Sequence, residues 1–90
     1  MKKDTPRSAV ALKYEPGRDR APRVVAKGRG AVAERILEVA GHCNVPVRED
    51  PELTRMLEAL DLDREIPAEL YRAVAEVLVF IYQLNRKAAG

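Results

Sequence analysis

The sequence predicts an α/β domain in which a small mixed sheet of about three strands packs against three helices. The chain has 90 residues, of which 47% are hydrophobic, so it can form one domain with a small core. Short alternating or β-branched segments come first, and apolar residues at helical spacing follow. Proline and glycine separate these segments. We expect residues 1–7 to form a flexible lead-in and residues 8–88 to form a single domain.

The first third of the chain predicts two strands. Residues 8–14 alternate in side-chain character, which is typical of a half-buried strand, and the Glu-Pro-Gly turn at 15–17 ends it. Residues 23–27 are apolar and β-branched, and Gly28 and Gly30 end this second strand.

A helix and a third strand are predicted next. The helix spans residues 31–43, with an apolar stripe made of Val32, Ile36, Val39 and Cys43 and widened by Ala33 and Ala40. Asn44 is a suitable left-handed stop, and residues 45–47 predict a short strand. Residues 25–47 then read as a parallel β-α-β crossover of right-handed sense.

Two more helices complete the predicted fold. Asp50 is a suitable N-cap and Pro51 a suitable first helical residue. The apolar positions of this helix are Leu53, Met56, Leu57 and Leu60. The last helix begins at Pro67, with an apolar stripe of Leu70, Val74, Val77, Leu78 and Ile81. Charged residues within it argue against a membrane-spanning helix.

Basic residues are concentrated in the first third of the chain. Residues 1–30 hold nine Lys and Arg against three Asp and Glu, whereas the whole chain has a formal charge of +2. A basic arm is typical of contacts with nucleic acid or anionic lipid, but a solvated region is the better explanation, because the basic residues are scattered and interrupted by Pro and Gly. Three Tyr, one Phe and no Trp leave few surfaces for stacking bases. A small nucleic-acid-binding module is therefore only the alternative function.

Residues that could carry catalysis or bind a metal are sparse. His42 and Cys43 are adjacent, so on a helix they point about 100° apart and form no Cys–His pair. Asp61, Asp63 and Glu65 lack the glycine and bidentate glutamate of a calcium loop. We expect no catalytic residues, no metal and no cofactor.

Gly28 and Gly30 stand between a strand and a helix, where phosphate groups often bind. The third glycine of a dinucleotide-binding loop is missing, because position 33 is alanine. A tight strand-to-helix turn explains the two glycines as well as a ligand does.

Several motifs in one order carry a family resemblance. They are residues 9–14 (AVALKY), 21–28 (APRVVAKG), 33–36 (AERI), 44–47 (NVPV), 51–57 (PELTRML), 66–71 (IPAELY) and 73–78 (AVAEVL). Together they resemble the cytoplasmic domain of the FlhB/YscU family, the bacterial switch proteins of flagellar and type III secretion export. The resemblance covers residues 8–84, fits the flagellar branch better, and implies the fold of that cytoplasmic domain.

The chain departs from the family at the self-cleavage motif. Family members carry Asn-Pro-Thr-His before the AVALKY strand, where the Asn amide attacks its own carbonyl. Here Asp4, Thr5, Pro6 and Arg7 occupy that place, so a carboxylate replaces the amide nitrogen. We expect a degenerate site without autocleavage, in a protein that is not an enzyme.

The resemblance implies a protein-interaction module that is similar to the cleaved C-terminal fragment of FlhB. Its expected role is docking of export substrates or switching of substrate specificity. By motif match, the family's apolar docking patch falls on Ala21, Pro22, Ala75 and Leu78. We expect Ala21 and Pro22 in an exposed loop, and a purely structural role for Leu78 remains open.

The resemblance also implies the partners. These are an FlhA-like cytoplasmic domain, membrane-bound FlhB, export substrates and chaperones, without nucleic acid and with only indirect membrane contact. The expected location is cytoplasmic, at the periphery of the inner-membrane export apparatus. The family has a further strand before the cleavage loop, which the Pro6-containing segment 1–7 does not supply. We therefore expect an open sheet edge along residues 8–14, where a partner strand can pair.

Overall fold

A two-stranded antiparallel hairpin lies at the centre of the computed structural model, which describes residues 7–78. Its strands are β1 (Ser8–Lys13) and β2 (Arg23–Arg29). The helices are α1 (Ala31–His42), α2 (Pro51–Glu58), a short 3-10 turn (Ala68–Leu70) and α3, described over residues 71–78. This element order confirms the α/β class.

Helices cover both faces of the hairpin. Lys27 donates from Nζ to the carbonyls of Glu58 and Leu60, at 3.0 and 2.6 Å, where α2 ends. The next residue, Gly28, instead lies against Val32 of α1. Because neighbouring residues of a strand point to opposite faces, α1 and α2 pack on opposite sides of the hairpin.

The core lies on the α2 side of the hairpin. Its buried members are Ala21, Leu53, Leu57, Ile66, Leu70 and Val74. Val10 and Leu12 of β1 pack against this cluster, so the core joins α2 and α3 to the sheet. The predicted start of α2 is confirmed, because Asp50 Oδ1 accepts the Leu53 N–H at 3.1 Å and Pro51 occupies the first turn.

An irregular segment covers the edge of β2 that faces away from β1. The Val24 N–H donates to the Arg64 carbonyl at 3.1 Å, and the Asp63 N–H donates to the Val24 carbonyl at 2.6 Å. The Ile66 N–H donates to the Pro22 carbonyl at 2.9 Å. This pairing leaves Val24 with no exposed surface, and the sequence pattern does not reveal it.

The opposite edge, along β1, has a different character. The Gly30 N–H donates to the Arg7 carbonyl at 2.8 Å. Since hydrogen-bonded and non-hydrogen-bonded pairs alternate in an antiparallel sheet, Ala9 and Ala11 also bond to β2. The backbone groups of Ser8, Val10 and Leu12 therefore point away from β2. Among residues 7–78, no backbone group bonds to them on that side.

The predicted third strand is wrong. Residues 45–50 have no regular secondary structure, so the sheet of the described chain is a hairpin rather than a mixed three-stranded sheet, and the parallel crossover is absent. Asn44, with φ of 58°, turns the chain after α1 as predicted. Val45 then donates its N–H to the Ala40 carbonyl at 2.8 Å. Val45 and Val47 are 52% and 55% exposed, so within residues 7–78 these β-branched side chains do not pack into a sheet.

The predicted apolar stripe of α1 is wrong at three of its positions and confirmed at Ala33. Val32 and Val39 are exposed, as is Cys43, whereas Ala33 is completely buried. Val32 lies against Gly28 and so contacts the sheet, although 54% of Val32 remains exposed. No helix within residues 7–78 is long and apolar enough to cross a membrane.

We expect Gly28→Ala to destabilise the fold. The added Cβ would lie 2.7 Å from Val32 Cβ and closer still to its Cγ1, so α1 must shift. The expected loss is about 1–3 kcal/mol in the free energy of unfolding, measured by urea denaturation. Gly41→Ala is the matched control, because its Cβ meets nothing within 4 Å in α1 and should stabilise by up to about 1 kcal/mol. Equal effects of the two substitutions would contradict this packing.

Candidate functional site

An open, mostly apolar pocket lies between the hairpin loop and α3. Its volume is about 230 Å³, and its described lining consists of Tyr14, Arg20, Ala21, Pro22, Ile66, Tyr71, Val74, Ala75 and Leu78. The four residues that the sequence assigned to docking, Ala21, Pro22, Ala75 and Leu78, thus line one pocket. The pairs lie more than fifty positions apart, and the fold brings them together.

Ala21 and Pro22 form the floor of the pocket. Ala21 is only 3% exposed and belongs to the core, and Pro22 is buried. The expectation of an exposed loop is therefore wrong. The Ile66 N–H donates a hydrogen bond to the Pro22 carbonyl. The irregular segment at residues 63–66 therefore covers this end of the loop.

Helix α3 supplies one wall. Tyr71, Val74, Ala75 and Leu78 share a face at helical spacing. Val74 is buried in the core, Ala75 is exposed, and Leu78 is half-buried and packs against the core. Leu78 therefore has both a structural contact and a surface in the pocket, whereas Ala75 offers surface without a core role.

Polar groups are confined to the rim. Tyr14 is 42% exposed and Tyr71 is 49% exposed, so both residues line the pocket while keeping a surface in contact with solvent. Arg20 is the third rim residue and is exposed. An apolar floor with a polar rim is the usual arrangement of a site that holds a side chain of a partner.

A buried carboxylate stabilises the hairpin loop between β1 and β2, which contains Ala21 and Pro22. Asp19 has a side chain only 8% exposed, and its Oδ2 accepts the Glu15 N–H at 3.0 Å. Arg23 Nε lies 3.3 Å from Asp19 Oδ1 without hydrogen-bond geometry, and its guanidinium also reaches Asp63 at 3.7 Å. Gly17, with φ of 88°, makes the turn possible. Sequence reasoning did not identify Asp19 and Arg23 as residues that hold this loop. The available signal was the pair of acidic residues, Glu15 and Asp19, on either side of the Pro-Gly turn.

The degenerate cleavage site is largely outside the described residues. Asp4, Thr5 and Pro6 precede them. Arg7 is exposed, and its carbonyl accepts the Gly30 N–H. The structure therefore shows only how the last residue of this motif, Arg7, is tied to the start of α1.

The other candidate residues do not form a reactive group. His42 Nδ1 lies 3.0 Å from the Glu38 carbonyl at the end of α1, and Cys43 is exposed beside it. Within residues 7–78, no cluster of three potential metal ligands is present. Gly30, with φ of 59°, makes the turn into α1, and Gly28 accommodates that helix, which gives both glycines a structural reason.

An ion pair with two hydrogen bonds lies away from the pocket. Arg29 contacts both carboxylate oxygens of Glu58, at 3.1 and 3.3 Å. Hydrogen bonds from Arg29 and Ser8 lower the pKa of Glu58 below its ordinary value, and the same pair raises the pKa of Arg29. Since the folded-state pKa of Glu58 is depressed, its contribution to stability is present above its unfolded-state pKa and is lost as the pH falls through the folded-state value.

Residues 6–81 match the model of the FlhB HrpN YscU SpaS Family. The chain belongs to this family. A Bacillus subtilis protein named "Uncharacterized protein YlqH" is 46% identical over 86 residues, which are 94% of this chain and 92% of that protein. The flagellar biosynthetic protein FlhB of Aquifex aeolicus is 44% identical over 80 residues, which are 88% of this chain and 23% of FlhB.

A solved structure agrees with these sequence matches. The cytoplasmic domain of FlhB from Shewanella putrefaciens matches with a TM-score of 0.88 and 41% identity, over 93% of this chain and 66% of that one. This family member is therefore an FlhB-like cytoplasmic domain of the flagellar and type III export type. It spans 23% of the length of the Aquifex FlhB, so the activity of the full-length protein is not transferred with the fold.

Proposed function

We propose that this chain is a non-enzymatic interaction module of the flagellar or type III export apparatus, similar to the cleaved C-terminal fragment of FlhB. It docks export substrates at the pocket between the hairpin loop and α3, and so takes part in selecting or switching substrates. The observation that supports this is the convergence of Ala21, Pro22, Ala75 and Leu78 on one open apolar pocket.

The physical properties of the pocket suit a transient partner. Burial of one aliphatic or aromatic side chain contributes about 1.5–3 kcal/mol, which is too little for a long-lived complex by itself. An export substrate must leave the apparatus after it is recognised, so weak binding fits this role. We propose that the protein acts in the cytoplasm, at the periphery of the inner-membrane export apparatus, with an FlhA-like cytoplasmic domain and substrate-bound chaperones as further partners.

The nucleic-acid alternative receives little support from the structure. Most basic side chains of the N-terminal third have partners within the described residues. Lys13 and Arg18 pair with Glu15, Arg23 pairs with Asp19, Arg29 pairs with Glu58, and Lys27 donates to two carbonyls. Lys13, Arg18 and Arg29 stay more than half exposed, but their carboxylate partners lower the positive charge that a phosphate-binding surface needs.

Ala75→Asp tests the docking pocket directly. Ala75 lines the pocket and is exposed, so a carboxylate there should leave the fold intact while placing charge where an apolar side chain must enter. We expect at least about a tenfold loss of affinity for export substrates, which corresponds to 1.4 kcal/mol. Binding is measured by fluorescence anisotropy and folding by circular dichroism.

Ala31→Asp provides the matched control. Ala31 is exposed in the first turn of α1, on the other face of the hairpin, where an acidic residue is tolerated. This variant should bind like the original chain. Leu78→Asp is less informative, because Leu78 also packs on the core. Unchanged substrate binding by folded Ala75→Asp would contradict the docking proposal.

Autocleavage forms no part of the proposed function. Asp4 offers no amide nitrogen for attack on its own carbonyl, and Arg7 stands in the place of the family histidine. We expect one full-length mass after prolonged incubation at neutral pH, measured by intact mass spectrometry. A variant that restores Asn-Pro-Thr-His over residues 4–7 is the positive control. Two stable fragments from the original chain, broken near residue 4, would refute the expectation.

The outer edge of β1 is proposed as the contact with membrane-bound FlhB. The backbone groups of Ser8, Val10 and Leu12 that point outward are those that an added strand would pair with. Antiparallel pairing of two copies would place Arg7 opposite Lys13 of the other copy, and like charges at facing positions disfavour it. A strand from a different protein is therefore the better occupant.

Hydrogen exchange tests this edge. With the purified cytoplasmic domain of membrane-bound FlhB, we expect slower exchange at the outward-facing amides of Val10 and Leu12. The amides of Ala9 and Ala11 face β2 and are the internal control, since their bonds already exist in the free protein. Unchanged exchange at Val10 and Leu12 in a mixture that contains the complex would exclude strand pairing.

A further inference from the structure

The docking pocket has an uneven polar rim. Arg20 is the only charged residue in its described lining, and Tyr14 and Tyr71 add two hydroxyl groups. No carboxylate belongs to that lining. The groups at the rim are thus one fixed cation and two potential donors, which favour a ligand that brings a hydrogen-bond acceptor.

The Arg20 side chain also differs from its neighbours in the hairpin loop. Arg18 pairs with Glu15 at 3.5 Å, and Arg23 pairs with Asp19 at 3.3 Å. Within residues 7–78, no carboxylate forms an ion pair with the Arg20 guanidinium. Glu65 is nearby, but it accepts the backbone N–H of Arg20, at 3.4 Å.

We infer that the segment docked in this pocket carries a carboxylate next to its apolar anchor residue, and that Arg20 recognises this carboxylate. The inference rests on the proposed docking function and adds the charge of the ligand to it. The apolar floor at Ala21 and Pro22 holds the anchor, and the guanidinium at the rim meets the acidic neighbour. Arginine suits this task because its fork of donors matches the two oxygens of a carboxylate.

The occupant is a segment of another protein. The C-terminal residues 79–90 of this chain contain Arg86 and Lys87 and no acidic side chain, so Arg20 opposes their entry. A peptide with an exposed aliphatic residue beside Asp or Glu has the complementary charge. This requirement allows Arg20 to discriminate among segments that satisfy the apolar floor equally well.

The exposure of Arg20 determines how much a carboxylate on the ligand should increase the affinity. Arg20 is exposed, and exposed ion pairs contribute little, so the acidic neighbour should tighten binding by about twofold to fivefold. Because both charges are solvated, the gain should fall steeply with salt. The apolar contribution of the anchor should respond little to the same change.

Three short synthetic peptides test the inference on the full chain. The first contains a single Leu followed by Asp in an otherwise neutral sequence, the second has Asn for this Asp, and the third has Ala for this Leu. Affinities are measured by NMR titration at about 50 mM and about 500 mM salt. We expect the Leu-Asp peptide to bind about twofold to fivefold tighter than Leu-Asn at low salt only.

Protein variants separate the two proposals. Arg20→Gln should abolish the preference for Asp while keeping the preference for Leu over Ala, and Arg18→Gln, in the same loop, should change neither. Equal affinity for Leu-Asp and Leu-Asn, or a preference that survives Arg20→Gln, overturns the role of Arg20. No preference for Leu over Ala, or no binding of any peptide, overturns the docking function itself. Concentration-dependent self-association that occupies the pocket would also overturn the proposed ligand.

Discussion

The hydrogen-bonded seam between β2 and residues 63–66 is the constraint on which the pocket depends. Three backbone bonds, from Val24 to Arg64, from Asp63 to Val24 and from Ile66 to Pro22, fix the chain after α2 against the hairpin. They bury Val24 completely and place Ile66 beside Pro22. Without them, the loop end would be free to move away from α3. The floor of the pocket is therefore a consequence of backbone pairing rather than of apolar contacts alone.

A second set of contacts fixes the loop from its other end. Asp19 closes the turn onto Glu15 and faces Arg23, the first residue of β2. Arg23 also reaches Asp63, whose positive φ of 66° places the segment next to β2. Asp63 thus belongs to both sets of contacts, because its N–H bonds to Val24 and its carboxylate faces Arg23. Docking at an apolar floor is compatible with this arrangement, because the floor stays in place when it is empty.

The sequence predicted what is local and missed what depends on distant partners. The cap at Asp50, the two strands and the start of the last helical region follow from residues close in the chain, and the structure confirms them. The strand at 45–47 failed because Val45 and Val47 have no neighbouring strand within the described residues. The stripe on α1 failed at Val32, Val39 and Cys43 because the helix buries Ala33 and leaves these three residues exposed. Periodicity alone contains neither fact.

The same distinction applies to the site. Family motifs identified four lining residues, but chemistry alone gave no reason to connect Ala21 and Pro22 with a helix more than fifty residues away. The rim residues Tyr14, Arg20 and Tyr71 were not predicted, because a pocket rim has no sequence period. The charge of the N-terminal third had suggested a basic surface, yet four of those nine cations form ion pairs within the described fold. Arg20, which lines the pocket, forms no ion pair within residues 7–78. The proposal for Arg20 rests on this contrast, since Arg18 and Arg23 pair with carboxylates of the same loop whereas Arg20 lies beside the apolar floor of the pocket.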